Sequence, residues 1–173
     1  MLVPDKLRKI VVFIGIKKSG GFQPRATGFV VSYFEHGGRF DYLVTAEHVV
    51  AGLQSAGHEI FLRFNTNDGK SVDVEVPAKS WVFHPKSEID ATDVAVAPLF
   101  IEGESEIARL PLNHPTDSCI LATAASLEQD GVKIGEGSEV FILGLFRNHY
   151  GADRNIPIVR VGNIAAQHCR WKD

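Results

Sequence analysis

The 173-residue sequence holds only two cysteines, Cys119 and Cys169. Two are too few for a disulfide framework. No Cys-x-x-Cys occurs, and His36, His58, His84, His114, His149 and His168 show no metal-ligand spacing. His58-Glu59 lacks the second histidine of a zinc-binding helix. Phosphate-binding loops are absent, and Gly135 and Gly137 are not followed by the third glycine of a dinucleotide loop. No cofactor and no metal are therefore expected. No apolar run approaches the roughly 18 residues that span a bilayer. Positive charge is not in excess either: 18 Lys and Arg stand against 21 Asp and Glu, a formal net charge of −3. Such a chain offers no global basic field to nucleic acid or to an anionic membrane. No internal repeat is visible.

The N-terminus imitates a short signal peptide, with Lys6, Arg8 and Lys9 ahead of the apolar run Ile10 to Ile16. Lys17 and Lys18 follow at once, however, and no small-residue cleavage site appears. The chain reads as unprocessed, with a cytoplasmic location expected.

What remains is an ordinary globular composition, 45% hydrophobic and 23% charged. Short strand-like runs separated by turn signals fill the first hundred residues. Ile10 to Ile16 is a continuous apolar run ended by Ser19-Gly20-Gly21. Gly28 to Phe34 and Phe40 to Val44 flank a Gly-Gly turn at 35–38, which reads as a hairpin. Ile60, Leu62 and Phe64 alternate with Phe61 and Arg63, and Val72, Val74 and Val76 alternate with Ser71, Asp73 and Glu75. That period of two predicts one buried and one wet face. Trp81 to Phe83 and Asp93 to Ala97 complete the set, and Pro98 cannot donate to a ladder and so ends it. Ala46 to Leu53 is the only early helical candidate. This spacing predicts an all-β barrel or sandwich.

From Phe100 to Ser118 the texture changes to acidic residues, Pro111 and Pro115. The expected organisation is a first β-domain over 1–100, a linker over 101–118 and a partial second domain over 119–173. Strands are expected near Cys119 to Thr123, Val140 to Phe146 and Ile156 to Val161.

His48 carries the chemistry. It follows a strand directly at the opening of a short helical turn, so a sheet holds its backbone. Rigid placement suits a general base, which must stay within hydrogen-bond reach of its proton donor. Imidazole is also the side chain whose ordinary pKa lies near neutrality. Asp93 opens the apolar strand Val94 to Ala97. It is either a solvated end cap or a buried acceptor that orients an imidazole N–H. Forty-five positions separate the two, so only a β-rich fold with long returns would unite them.

Taken together, these segments resemble the N-terminal half of trypsin-like (chymotrypsin-fold) serine peptidases of the bacterial type. The resemblance rests on Gly28-Phe29 ahead of Thr45-Ala46-Glu47-His48, on Asp93-Val94-Ala95, and on the upstream Trp81 with His84-Pro85. It covers about residues 10 to 100. More faintly, Val140 to Gly144 and Arg160 to Ile164 look like strands of the family's second barrel. The resemblance implies two antiparallel six-stranded β-barrels, the second incomplete. It also implies peptide-bond hydrolysis with His48 as general base and then acid, Asp93 as its orienting partner, and a peptide or protein substrate.

One part of the pattern is missing. The family's nucleophile sits in Gly-x-Ser-Gly-Gly after the last of these strands, and none of the ten serines stands in such a loop. Ser138, in Gly135-Glu136-Gly137-Ser138-Glu139, precedes the wrong strand and reads as a turn. Cys169 is followed by Arg170 and Trp171 where the loop needs glycine, so it reads as an ordinary thiol; Cys119 reads as a buried strand residue. The expectation is an incomplete chain of a serine endopeptidase whose nucleophile is absent, so that residues 1–173 alone are inactive. The alternative is a catalytically inactive homologue that binds a peptide or protein. A truncated second barrel would leave open strand edges, which invite oligomers. A third reading, an unrelated barrel, expects His48 and Asp93 to lie far apart.

Overall fold

The computed structural model describes residues 3–85, 92–101, 106–112, 134–144, 146, 151 and 153–165. A short helix, α1 (Asp5–Lys9), leads into β1 (Val11–Lys18), β2 (Gly21–Glu35) and β3 (Gly38–Thr45). Helix α2 (Glu47–Ser55) follows, then β4 (Ile60–Asn65), β5 (Ser71–Val76), β6 (Val82–Phe83), β7 (Ala95–Pro98) and β8 (Leu110–Pro111). β9 (Glu139–Gly144) and β10 (Ile158–Asn163) form a separate antiparallel pair. Among the described residues no helix is long and apolar enough to cross a membrane.

Seven strands lie side by side in the order β5-β4-β1-β2-β3-β7-β6, all antiparallel, and β8 adds to β2 in parallel. Among the described residues β5 and β6 do not pair, so this sheet is open. The all-β expectation holds in this form. The β2–β3 hairpin turns through His36 and Gly37, with φ of 49° and 75° and Glu35 paired to Gly38. Two successive positive φ values give the turn a twist that matches the strands it joins, and glycine adopts one of them without strain. β2 starts seven residues before the expected Gly28, because Phe22 to Thr27 also pair with β1. The register slips between Ile14 and Gly15, where Pro24 faces Gly15. A Cβ at Gly15 would overlap the Gln23 carbonyl oxygen, so the irregular crossing needs glycine there.

One face of the sheet builds the main core. Val12 and Ile14 of β1, Val30 of β2, Leu43 of β3, Ile60, Leu62 and Phe64 of β4 and Ala95 and Ala97 of β7 meet Val50 of α2 and Trp81. The opposite face was expected to be wet at β4, and it is not. Phe61 joins Val11, Phe13 and Phe22 in a second cluster against which Leu143 of β9 packs. Arg63 lies 4.2 Å from the centre of the Phe22 ring and donates to Asp73 at 2.9 Å. Alternation marks which residues share a face, but not whether a later segment covers that face.

Among the described residues β9 and β10 pair only with each other, and the segment that leads into β10 is tied to the first sheet. Asn155, only 4% exposed, donates its amide N–H to Asn65 Oδ1 at 2.7 Å and its side-chain Nδ2 to the Arg63 carbonyl. Ser71 Oγ donates to the Asp153 carbonyl at 2.8 Å, and Arg154 reaches Glu106 at 2.8 Å. Residues 106–112, inside the span read as a linker, run along the first sheet. The amides of Glu106, Ala108 and Leu112 donate to the carbonyls of Asn65, Lys9 and Ser32. The strand expected at Cys119 to Thr123, both cysteines and the stretch Arg170 to Asp173 lie outside the described residues.

Candidate active site

The sheet delivers the two site residues to one spot. β3 and β7 are paired to their shared end, where Thr45 faces Ala95. The chain then leaves β3 through Ala46 into α2, which puts His48 three residues past that rung. Asp93 lies two residues before it, on the segment that enters β7. This segment is steadied by the His84 amide, which donates to the Val94 carbonyl at 3.3 Å. Trp81, buried in the main core, anchors the run that leads to His84. Trp81 and His84 therefore help hold the strand on which Asp93 depends.

Asp93 grips His48 at two points. Its Oδ1 accepts the His48 backbone N–H at 2.9 Å, and its Oδ2 lies 2.6 Å from ring Nδ1. The two were expected to be near or far according to the reading, and the structure brings them together. The expectation that they lie far apart is not met. Helix α2 has no side-chain cap of its own at Ala46. Asp93 supplies that cap from 45 residues away, satisfying a first-turn amide that the helix leaves unpaired. A negative charge at this end also suits the helix dipole. No local signal announces this second duty, because the capping carboxylate lies 45 residues from the amide it accepts.

The chemistry of the pair follows from its donors. An ionised carboxylate only accepts hydrogen bonds, so the proton between the two groups resides on Nδ1. Nε2 of a neutral ring then carries the lone pair, and among the described residues it has no hydrogen-bond partner. The imidazole is 73% exposed and the carboxylate 48%. Asp93 is thus neither simply a solvated cap nor a buried acceptor: it is an exposed carboxylate doing both jobs. Concavities of about 260 Å³ beside α1 and β4 and about 320 Å³ around Phe40 and Phe100 include neither residue. The pair lies open at the end of the sheet.

The Asp93 carboxyl titrates below its ordinary value of 3.8. The largest cause is the hydrogen bond from the His48 amide, followed by the bond from the His48 ring; partial burial opposes both. A folded-state value below the unfolded one means that Asp93 stabilises the fold at pH values above 3.8. That contribution is lost as pH falls through the depressed value. The side-chain carboxyl carbon of Asp93, followed by NMR, should therefore titrate with a midpoint below 3.8. A midpoint at or above 3.8 would show that the two bonds do not form in solution.

The described serines nearest in interest are engaged elsewhere. Ser32 Oγ donates to Asp41 at 2.6 Å, Ser71 to the Asp153 carbonyl, and Ser138 Oγ accepts from the Gly135 amide at 3.0 Å, as its turn reading expects. Cys169 lies outside the described residues. Among the described residues no cluster of three or more His, Cys, Asp or Glu side chains could hold a metal ion. No protein-family model matches the chain, and no curated protein matches it.

Proposed function

We propose that this chain is the histidine–aspartate portion of a trypsin-like serine endopeptidase. In this reading β1 to β7 belong to the first of two β-barrels, and β9 with β10 to the second. The observation that carries it is the double contact between His48 and Asp93, on the residues whose motifs suggested the family. The proton on Nδ1 leaves Nε2 free to take a proton from a serine hydroxyl as that oxygen attacks a peptide carbonyl. Asp93 then stabilises the imidazolium that forms, and the ring returns its proton to the departing amine. The imidazole is largely exposed, and in this reading the serine would stand against its Nε2. The substrate is a peptide or protein, and neither metal nor cofactor enters these steps. The serine and the backbone amides of its loop, which would hold the oxyanion, are not supplied by residues 1–173.

The test is to read the coding frame beyond codon 173, express the longer product, and assay casein cleavage. Expected is a Gly-x-Ser-Gly-Gly segment and hydrolysis that disappears in His48→Ala, while residues 1–173 give no His48-dependent cleavage. A longer product that carries the segment but cleaves casein equally well with His48→Ala would refute the reading. So would a frame that closes without the segment, which would instead favour a peptide-binding homologue.

A further inference from the structure

Thr45 stands at the junction from which both site residues depart. It is 6% exposed and faces Ala95 across the last rung between β3 and β7. The ladder between β2 and β3 has already ended one residue earlier, at Phe29 and Val44. The Thr45 hydroxyl continues it by other means, donating to the Thr27 carbonyl of β2 at 3.1 Å. Gly28 makes the approach feasible: a Cβ there would meet Leu43 Cδ1 at 2.9 Å and the Val44 carbonyl oxygen at 3.0 Å. One residue of β3 thus fastens both neighbouring strands, β2 through its hydroxyl and β7 through its backbone pairing. His48 lies three residues beyond this knot and Asp93 two residues before its partner.

We propose that the Thr45 hydroxyl is a positioning group that fixes the approach of the His48 ring to Asp93. Without the bond to Thr27, the end of β3 is held on one side only. The turn through Ala46 can then shift, and a displacement of a few tenths of an ångström is enough to weaken a 2.6 Å contact. Thr45 touches neither proton nor substrate; it acts through the strand that carries His48. Its importance to catalysis rests on the peptidase reading, whereas its effect on the ring does not.

The nitrogen-15 shifts of the His48 ring, read through its carbon-bound protons at neutral pH, report which nitrogen holds the proton. In the 173-residue chain, Nδ1 is expected to hold it. In Thr45→Val, which keeps the shape and removes the donor, the ring should move toward the tautomer mixture of a free histidine. Thr45→Ser keeps the hydroxyl and should keep the Nδ1–H form, even if its melting point falls. Leu62→Ala, a core truncation remote from the hydroxyl, should lower stability without moving the ring. The inference fails if Thr45→Val leaves the tautomer unchanged, if Thr45→Ser loses it, or if Leu62→Ala loses it too. Should Thr45→Val not fold, the serine and Leu62 variants decide by themselves. A longer product that cleaves no peptide would sink the peptidase reading while leaving these ring shifts as they are.

Discussion

On the proposed peptidase reading, asparagine in place of Asp93 is expected to lower kcat of the longer product by about 10⁴-fold. The argument is one of proton placement. An amide is nearly isosteric with the carboxylate and is itself a good helix cap. Its oxygen can still accept the His48 amide, so α2 and the fold should survive. What changes is the atom facing Nδ1. With the amide NH₂ presented to the ring, Nδ1 becomes the acceptor and the proton moves to Nε2, the nitrogen that must be free to act as a base. The charge that stabilises the imidazolium is lost as well. Far-UV circular dichroism should be unchanged while turnover collapses. A loss smaller than about tenfold would mean that Asp93 serves α2 and not the ring.

Truncating Phe64 to alanine is expected to destabilise the fold by about 3–5 kcal/mol. Phe64 is fully buried in the main core beside Leu62 and Ile60 of the same strand, and β4 is covered on both faces. The loss has two parts, the transfer energy of the ring and the cavity left in a close-packed interior. The neighbouring strands cannot collapse freely into that cavity. β4 is paired to β1 on one side and β5 on the other, and Asn155 fastens its end from outside the sheet. Domains of this kind are stable by only about 5–15 kcal/mol, so the substitution removes a large share. Urea titration of the two proteins measures it, and a change below about 1 kcal/mol would contradict this account of the core.

How far the sequence could be read depended on the range of each signal. Local signals served well. The Gly-Gly hairpin, Pro98 at the end of β7 and the short helix after Thr45 all depend on neighbours within a few residues. The ordered Thr-Ala-x-His and Asp-(aliphatic)-Ala segments also named the two residues that the fold brings together. Signals that depend on distant chain did not carry. Nothing in Ile60 to Phe64 reveals that Leu143, about eighty positions later, helps cover the face of Phe61. Nothing around Ala46 reveals that its helix is capped by Asp93. The short α1 escaped because five residues hold too little periodicity to register. Arg63 read as a wet-face residue because charge usually means solvent, whereas here Asp73 and the Phe22 ring replace the water.

The central claim is that His48 and Asp93 form an oriented acid–base pair, and the position of one proton tests it most directly. In the neutral ring of His48, Nδ1 should hold the proton and Nε2 should be unprotonated. Asp93→Asn should exchange those roles. A ring that holds its proton on Nε2 in the unaltered chain, or that shows the same mixture with and without the Asp93 carboxylate, would contradict the account.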